Sequence, residues 1–197
     1  MRADEVRERY ERIQAEVGPG VTIVAATKYV SVDELAVLAE AGIEVVGENR
    51  AQELEAKHAA YGDRFRWHFI GHLQSNKAST VNAVCELVHS LASESAARRL
   101  EVPALLEINL SGEESKSGIA EADLERFLGL YADVRGLMTM PPESGDPKAS
   151  RPYFRRLREL AEEHGLRELS MGTSQDYQVA VDEGATFVRL GSVLYGR

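Results

Sequence analysis

Lys28 follows the uncharged run Val21-Thr-Ile-Val-Ala-Ala26 and Thr27, and it precedes Ser31-Val-Asp-Glu34, a pattern that starts helices. A lysine amine at the end of a buried strand, largely screened from water, has a lowered pKa and attacks a carbonyl carbon to form a Schiff base. Far along the chain, Ser170-Met-Gly-Thr-Ser174 and Leu190-Gly-Ser192 each set a glycine and a hydroxyl directly after an apolar run. Loops of that composition bring backbone N–H groups close to phosphate oxygens, because glycine has no side chain to hold the anion off. Ser174 also reads as the N-cap of the helix that follows, which is compatible with the same use. A Schiff-base lysine and a phosphate cup together describe a site for a phosphorylated aldehyde. Pyridoxal 5'-phosphate (PLP) is the commonest such cofactor. A class I aldolase acting on a sugar phosphate needs the same two features, so the local chemistry leaves both open. Arg189 lies just before the second loop, within reach of the ring nitrogen of a cofactor anchored there, or else in an ion pair inside the fold.

Residues with chemical potential stand at the ends of successive apolar runs. Thr27-Lys28 ends the first, Glu48-Asn49 follows Ile43-Glu-Val-Val-Gly47, Gly71-His72 follows Trp67-His-Phe-Ile70, and Gly191-Ser192 follows Phe187-Val-Arg-Leu190. In an α/β barrel the loops after the strands build one site at the C-terminal face, so this spacing predicts a (β/α)8 TIM barrel. Val6, Tyr10, Ile13 and Val17 add an amphipathic N-terminal helix that stops at Gly18-Pro19-Gly20. Strands are expected at 21–26, 43–46, 67–70, 87–89, 104–110, 134–138, 166–170 and 186–190. Helices at 31–41, 51–60, 75–83, 94–100, 122–131, 151–164 and 175–183 alternate with them, the first opened by a Ser31/Glu34 capping box. The segments 111–118 and 141–147 are loops by composition and belong on the active face. An open doubly wound sheet has the same alternation and is the competing architecture.

With 197 residues, 44% of them hydrophobic, the chain is long enough to bury a core as one domain spanning 1–197. Its net charge of -9 argues against a protein that coats nucleic acid, which needs clustered Lys and Arg to displace counterions. Arg98-Arg99 and Arg155-Arg156 read as solvated helix faces. The single cysteine, Cys85, permits no intrachain disulfide and sits in the apolar stretch Val84-Cys85-Glu86-Leu87-Val88 as a packed residue rather than a nucleophile. The charged start, Met1-Arg-Ala-Asp-Glu-Val-Arg, has no signal-peptide core, and no run reaches the length of a membrane span. A cytoplasmic protein, away from membranes, is the expectation.

Several separate motifs then occur in order. They are Ala26-Thr27-Lys28, Gly47-Glu48-Asn49 with Gln52-Glu53, Trp67-His-Phe-Ile-Gly-His-Leu-Gln-Ser-Asn-Lys77, and Asn109-Leu-Ser-Gly-Glu113 with Lys116-Ser-Gly118. Arg135-Gly-Leu-Met138, Leu169-Ser-Met-Gly172 with Ser174 and Asp176, and Val188-Arg-Leu-Gly191 complete the series. Through these motifs, which cover almost the whole chain, the sequence resembles the PLP homeostasis proteins, single-domain barrels of the alanine racemase N-terminal domain type. The resemblance implies that Lys28 holds PLP as a Schiff base, that Ser174, Gly191 and Ser192 cup its phosphate, and that Arg189 faces the ring nitrogen. It also implies that Asn49, His68 and Met171 line the pocket. The segment Gln74-Ser-Asn-Lys77 matches a family motif with no derived chemical role. Thr173 departs from the family, which more often has Met there, and this alters pocket packing. The stretch 118–134 is short, which trims a helix on the outer ring.

An arginine at the ring nitrogen discourages its protonation, so the ring is a poorer electron sink than the pyridinium held by an Asp in a transaminase. The resemblance further implies that a related racemase draws a second acid/base group from an additional β domain and a partner subunit. This chain ends at Tyr195-Gly-Arg197, immediately after the last strand. Both points favour a monomeric, reversible PLP carrier in vitamin B6 homeostasis, with apo-forms of PLP-dependent enzymes as recipients. The rival reading is a low-activity amino-acid racemase using His68 or Tyr195 as second base.

Overall fold

The structure, a computed structural model, describes residues 1–113 and 116–196. Eight parallel strands close into a barrel in sequence order. They are β1 (Thr22–Ala26), β2 (Val45–Glu48), β3 (Arg66–Phe69), β4 (Leu87–Leu91), β5 (Ala104–Glu107), β6 (Val134–Met138), β7 (Glu168–Thr173) and β8 (Phe187–Leu190). β1 pairs with β8 in register from Thr22 opposite Phe187 to Ala25 opposite Leu190. That pairing removes the doubly wound alternative, because an open sheet keeps two free edges and this one has none.

Helix α1 (Ala3–Val17) precedes the barrel. Each strand is followed by one helix of the outer ring: α2 (Leu35–Glu40), α3 (Ala51–Tyr61), α4 (Ala78–Val84), α5 (Glu94–Ala97), α6 (Leu124–Leu130), α7 (Arg151–Glu163), α8 (Tyr177–Asp182) and α9 (Ser192–Tyr195). Strand side chains alternate, so one set meets the helices and the other fills the barrel. Ile23, Val46, Phe69, Leu106, Met171 and Val188 belong to the large outer core that includes Leu38, Leu54, Phe154 and Leu157 of the helices. Burial of each such side chain stabilises the fold by about 1.5–3 kcal/mol before entropy is counted. Leu87, Leu105, Met138 and Phe187 form a separate, smaller apolar cluster.

Several element boundaries differ from the sequence expectation for local reasons. The Ser31/Glu34 capping box forms in both directions: Ser31 N–H donates to Glu34 Oε2 at 3.0 Å and Glu34 N–H to Ser31 Oγ at 3.2 Å. The regular helix nevertheless begins only at Leu35. β5 ends at Glu107 because Asn109 organises the next loop, its Oδ1 accepting from Ser111 Oγ (2.9 Å) and Gly112 N–H (3.2 Å). Glu114 and Ser115 of that loop, and Arg197, lie outside the described residues. β7 continues to Thr173 through Gly172, whose φ of +92° disfavours any side chain and where a Cβ would come within 2.6 Å of the Ala180 methyl. Cys85 is buried, and burial with the nearby Glu86 pushes its thiol up to about 12, consistent with a packed residue. Among the described residues no helix is long and apolar enough to cross a membrane.

Candidate functional site

At the C-terminal ends of the strands lies a cleft of about 520 Å³. Six of the residues expected in the site line it: Lys28, Asn49, Ser174, Arg189, Gly191 and Ser192. His72, Glu107, Thr173 and Tyr195 share the lining.

Lys28 is exposed, with its Nζ 4.7 Å from the centre of the Tyr29 ring. The expected screening of its amine is therefore absent. Thr27 is buried and fixed by its N–H on Gly47 O (3.0 Å), and Val30 N–H closes a turn onto Thr27 O (2.9 Å). Lys28 and Tyr29 are left on the outside of that turn. Across the cleft wall, Asn49 is held close to the next loop: a side chain at Gly71 would come within 2.2 Å of Asn49 O, so only glycine permits the approach. Ser90 hydroxyl donates to Gly71 O and holds that loop. Asn49 Oδ1 is buried and has no hydrogen-bond partner among the described residues.

The two glycine-hydroxyl loops meet. Ser174 does not cap α8, which starts after Asp176. Its Oγ instead accepts the N–H of Gly191 (3.1 Å) and the N–H of Val193 (3.4 Å), so two backbone donors converge on one oxygen at the cleft wall. Asp176 secures the β7 end by accepting Thr173 N–H at 2.7 Å and Ser150 hydroxyl at 2.7 Å.

Arg189 is buried in the barrel and its hydrogen bonds go to neutral atoms: Ser170 Oγ, Thr139 O at 3.1 Å and Met140 Sδ at 2.8 Å. Burial lowers its guanidinium to about 10, against the raising effect of Glu107 and Asp176, so it stays charged at neutral pH. Glu107 was not singled out by sequence reasoning, although a lone acid inside Ala104-Leu-Leu-Glu-Ile108 was the signal. Burial pushes its carboxyl up, opposed by the Ser117 hydroxyl that donates to it and by the Arg189 charge.

His68 and Met171 do not line the cleft, which corrects the sequence expectation. Met171 follows inward-facing Ser170 and so points to the helix layer, where it is fully buried. His68 lies inside the barrel below the cleft, its ring against Phe187 and its Nδ1 2.9 Å from His89 Nε2. His72, four residues further along, takes the cleft position. Arg189 donates to Ser170 Oγ, which meets His89 Nδ1 at 2.7 Å, and His89 Nε2 in turn meets His68 Nδ1; because a hydroxyl both donates and accepts, the direction of this buried chain is set by the His89 tautomer. Both rings are neutral: burial first, then Arg66, lowers His68 to about 3, and burial, His68 and Arg189 push His89 well below its usual range.

A closed eight-strand barrel with an exposed lysine at the end of β1 and two glycine-hydroxyl loops that meet after β7 and β8 defines the class of alanine racemase-like barrels. The chain belongs to the family described as "Alanine racemase, N-terminal domain", whose model matches residues 1–197, and within it to the pyridoxal phosphate homeostasis proteins. It is 36% identical to the pyridoxal phosphate homeostasis protein of Aquifex aeolicus over 99% of this chain and 96% of that one. The Pseudomonas aeruginosa protein of the same name is 40% identical over 79% of this chain and 75% of its own length. Among solved structures, PipY of Synechococcus elongatus with PLP bound superposes with a TM-score of 0.85 at 31% identity, over 97% of this chain and all of that one. Alanine racemase of Corynebacterium glutamicum shares the fold, with a TM-score of 0.77 at 18% identity over 100% of this chain and 61% of the racemase.

Proposed function

We propose that the chain binds PLP as a Schiff base on Lys28 and acts in intracellular PLP homeostasis or delivery, without efficient catalysis of its own. The reading is carried by one convergence: a reachable lysine amine, two backbone amides aimed at a single oxygen and a buried guanidinium border the same cleft. These donors suit the cofactor. Lys28 offers an amine for the aldehyde, and the Gly191 and Val193 amides, now given to Ser174 Oγ, are donors for phosphate oxygens. Ser174 and Ser192 add hydroxyls to that cup, and Arg189 is the residue to face the ring nitrogen. Asn49 Oδ1 is a buried acceptor that a ligand would satisfy; leaving such a group unpaired costs about 1–3 kcal/mol. When bound, PLP supplies an electrophilic aldehyde on an electron-withdrawing ring.

Arg189 supports a carrier over a catalyst. A cation that keeps its proton at neutral pH disfavours a second proton beside it, which weakens the ring as an electron sink. The exposure of Lys28 supports exchange, because water and competing amines reach the attachment point. Relatives named for pyridoxal phosphate homeostasis support the same reading, and the recipients in this proposal are apo-forms of PLP-dependent enzymes. For the racemase alternative, His68 lies beneath the cleft and Tyr195 is the remaining base, its hydroxyl donating to Ala26 O at 3.1 Å.

The test is the visible spectrum of the purified protein titrated with PLP, with borohydride reduction and peptide mapping of the adduct. A yellow band in the wild type, lost in Lys28→Ala, with the reduced adduct on Lys28, is the expected result. A wild type that stays colourless and unlabelled in excess PLP sinks the proposal. Transfer of PLP to an apo-enzyme, without deuterium exchange at the α-carbon of amino acids, separates carrier from racemase.

A further inference from the structure

We propose that Glu48 and Lys57 are positioning residues, whose buried ion pair holds together the stretches of backbone that carry Lys28 and Asn49. Lys57 comes from α3 and Glu48 from the end of β2, with side chains only 3% and 1% exposed. Lys57 Nζ donates to Glu48 Oε1 and to the carbonyl of Thr27 at 2.8 Å. The same Glu48 oxygen accepts the Thr27 hydroxyl at 2.6 Å, while Oε2 accepts the Asn49 N–H at 3.1 Å. The backbone bonds of this pair thus end on the residue before Lys28 and on Asn49 itself.

Packing alone does not account for the pair. Lys57 sits on the face of α3 that buries Ala51 and Leu54, where an apolar side chain would fill the seam. Taking two charges out of water is repaid only when their remaining hydrogen bonds are complete, and an apolar pair of similar volume often stabilises a fold more. What an apolar pair lacks is a second donor for Thr27 O, beside the Val30 N–H, and an acceptor for Asn49 N–H. The buried carboxylate of Glu183 offers the contrast: it meets Arg151, Arg155 and Arg158 at the far end of α8 and touches no cleft residue through them. One carboxylate joins helices, and the other joins the two strand ends of the site.

The inference rests on PLP as the ligand, so its test carries a second readout free of PLP. Wild type, Glu48→Gln, the double variant Glu48→Gln/Lys57→Met and Glu183→Gln are compared for PLP Kd, thermal midpoint and hydrogen exchange at the Asn49 amide. The double variant removes both charges together and avoids the stranded charge that a broken pair leaves. Both Glu48 variants are expected to weaken PLP binding about tenfold and to speed Asn49 exchange about as much, as lost support of a binding constellation does. Glu183→Gln is expected to lower the midpoint with Kd unchanged. Equal Kd in all the variants, with only the midpoints lowered, overturns the proposal. If the wild type takes up no PLP, the cofactor reading alone has failed; faster Asn49 exchange in the Glu48 variants then upholds positioning, and unchanged exchange overturns it.

Discussion

The two walls of the cleft treat their cations in opposite ways. On the β1–β2 wall Lys28 stands exposed, and behind it lies a charged pair, Glu48 and Lys57, sealed from water. On the β7–β8 wall Arg189 is buried, and behind it runs a neutral chain of Ser170, His89 and His68. On the proposed reading of the site, the difference follows from what each cation is suited to do. An amine that makes and breaks a covalent bond must be reachable and must give up its proton. A cation acting through its field alone works best where the dielectric is low, since Coulomb energy scales inversely with it. Burial also explains the neutral backing: a protonated His89 beside Arg189 would add a second desolvated positive charge.

Breaking the comparison at Lys28 has the largest effect. Lys28→Ala is expected to abolish covalent PLP attachment entirely while changing unfolding free energy by no more than about 0.5 kcal/mol, as exposed side chains do. A loss of several kcal/mol in urea unfolding would contradict the picture of a free-standing amine.

Acid tests the other wall. His68 and His89 are held neutral in the folded state, whereas unfolded histidine takes up a proton near pH 6.5. The unfolded chain therefore binds more protons below that point, so stability is full above pH 6.5 and declines as pH falls towards the His68 value of about 3. Each histidine contributes a slope of about 1.4 kcal/mol per pH unit, giving up to about 4 kcal/mol between pH 6.5 and 5. Glu107, with its pKa raised by burial, works in the opposite direction and offsets part of this. Urea unfolding at pH 7 and pH 5 measures the net fall. A flat profile would mean the rings titrate in the folded protein as they do in the unfolded chain.

Smaller still is the cut between Arg189 and the histidines. Ser170→Ala removes the hydroxyl that links them and is expected to cost about 1–3 kcal/mol, the penalty for leaving buried partners unpaired. In the wild type, nitrogen NMR is expected to report the Nε2–H tautomer for both His89 and His68. An Nδ1–H signal from His89 would reverse the chain, with Ser170 Oγ accepting from both Arg189 and His89.

How legible each feature was depended on the range of its cause. The barrel was readable because its signal is local: apolar runs that end in small or polar residues repeat along the chain, and a local motif such as Ser31 with Glu34 marks the turn that leads into a helix. Lys28, Ser174, Arg189 and Gly191 were readable for the same reason, since each closes or follows a strand. His68 and Met171, placed in the pocket through the family resemblance, were misplaced because alternation along a strand turns Met171 to the helix layer and sets His68 against His89 and Phe187 below the cleft. His72 and Glu107 took places in the cleft that only barrel closure assigns.

By itself, then, the sequence determined the order of strands and helices, the strand-end location of the reactive residues and the family to which they belong. Tertiary structure alone decided that β8 returns to β1, that Ser174 Oγ reaches the amides of the next loop, that Lys28 faces water while Arg189 does not, and that Lys57 bonds the Thr27 carbonyl thirty residues away. Local hydrogen bonding and hydrophobic periodicity act over a few residues and leave their mark in neighbouring letters. Burial and long-range pairing depend on which surfaces meet once the barrel closes, and no single stretch of chain records that.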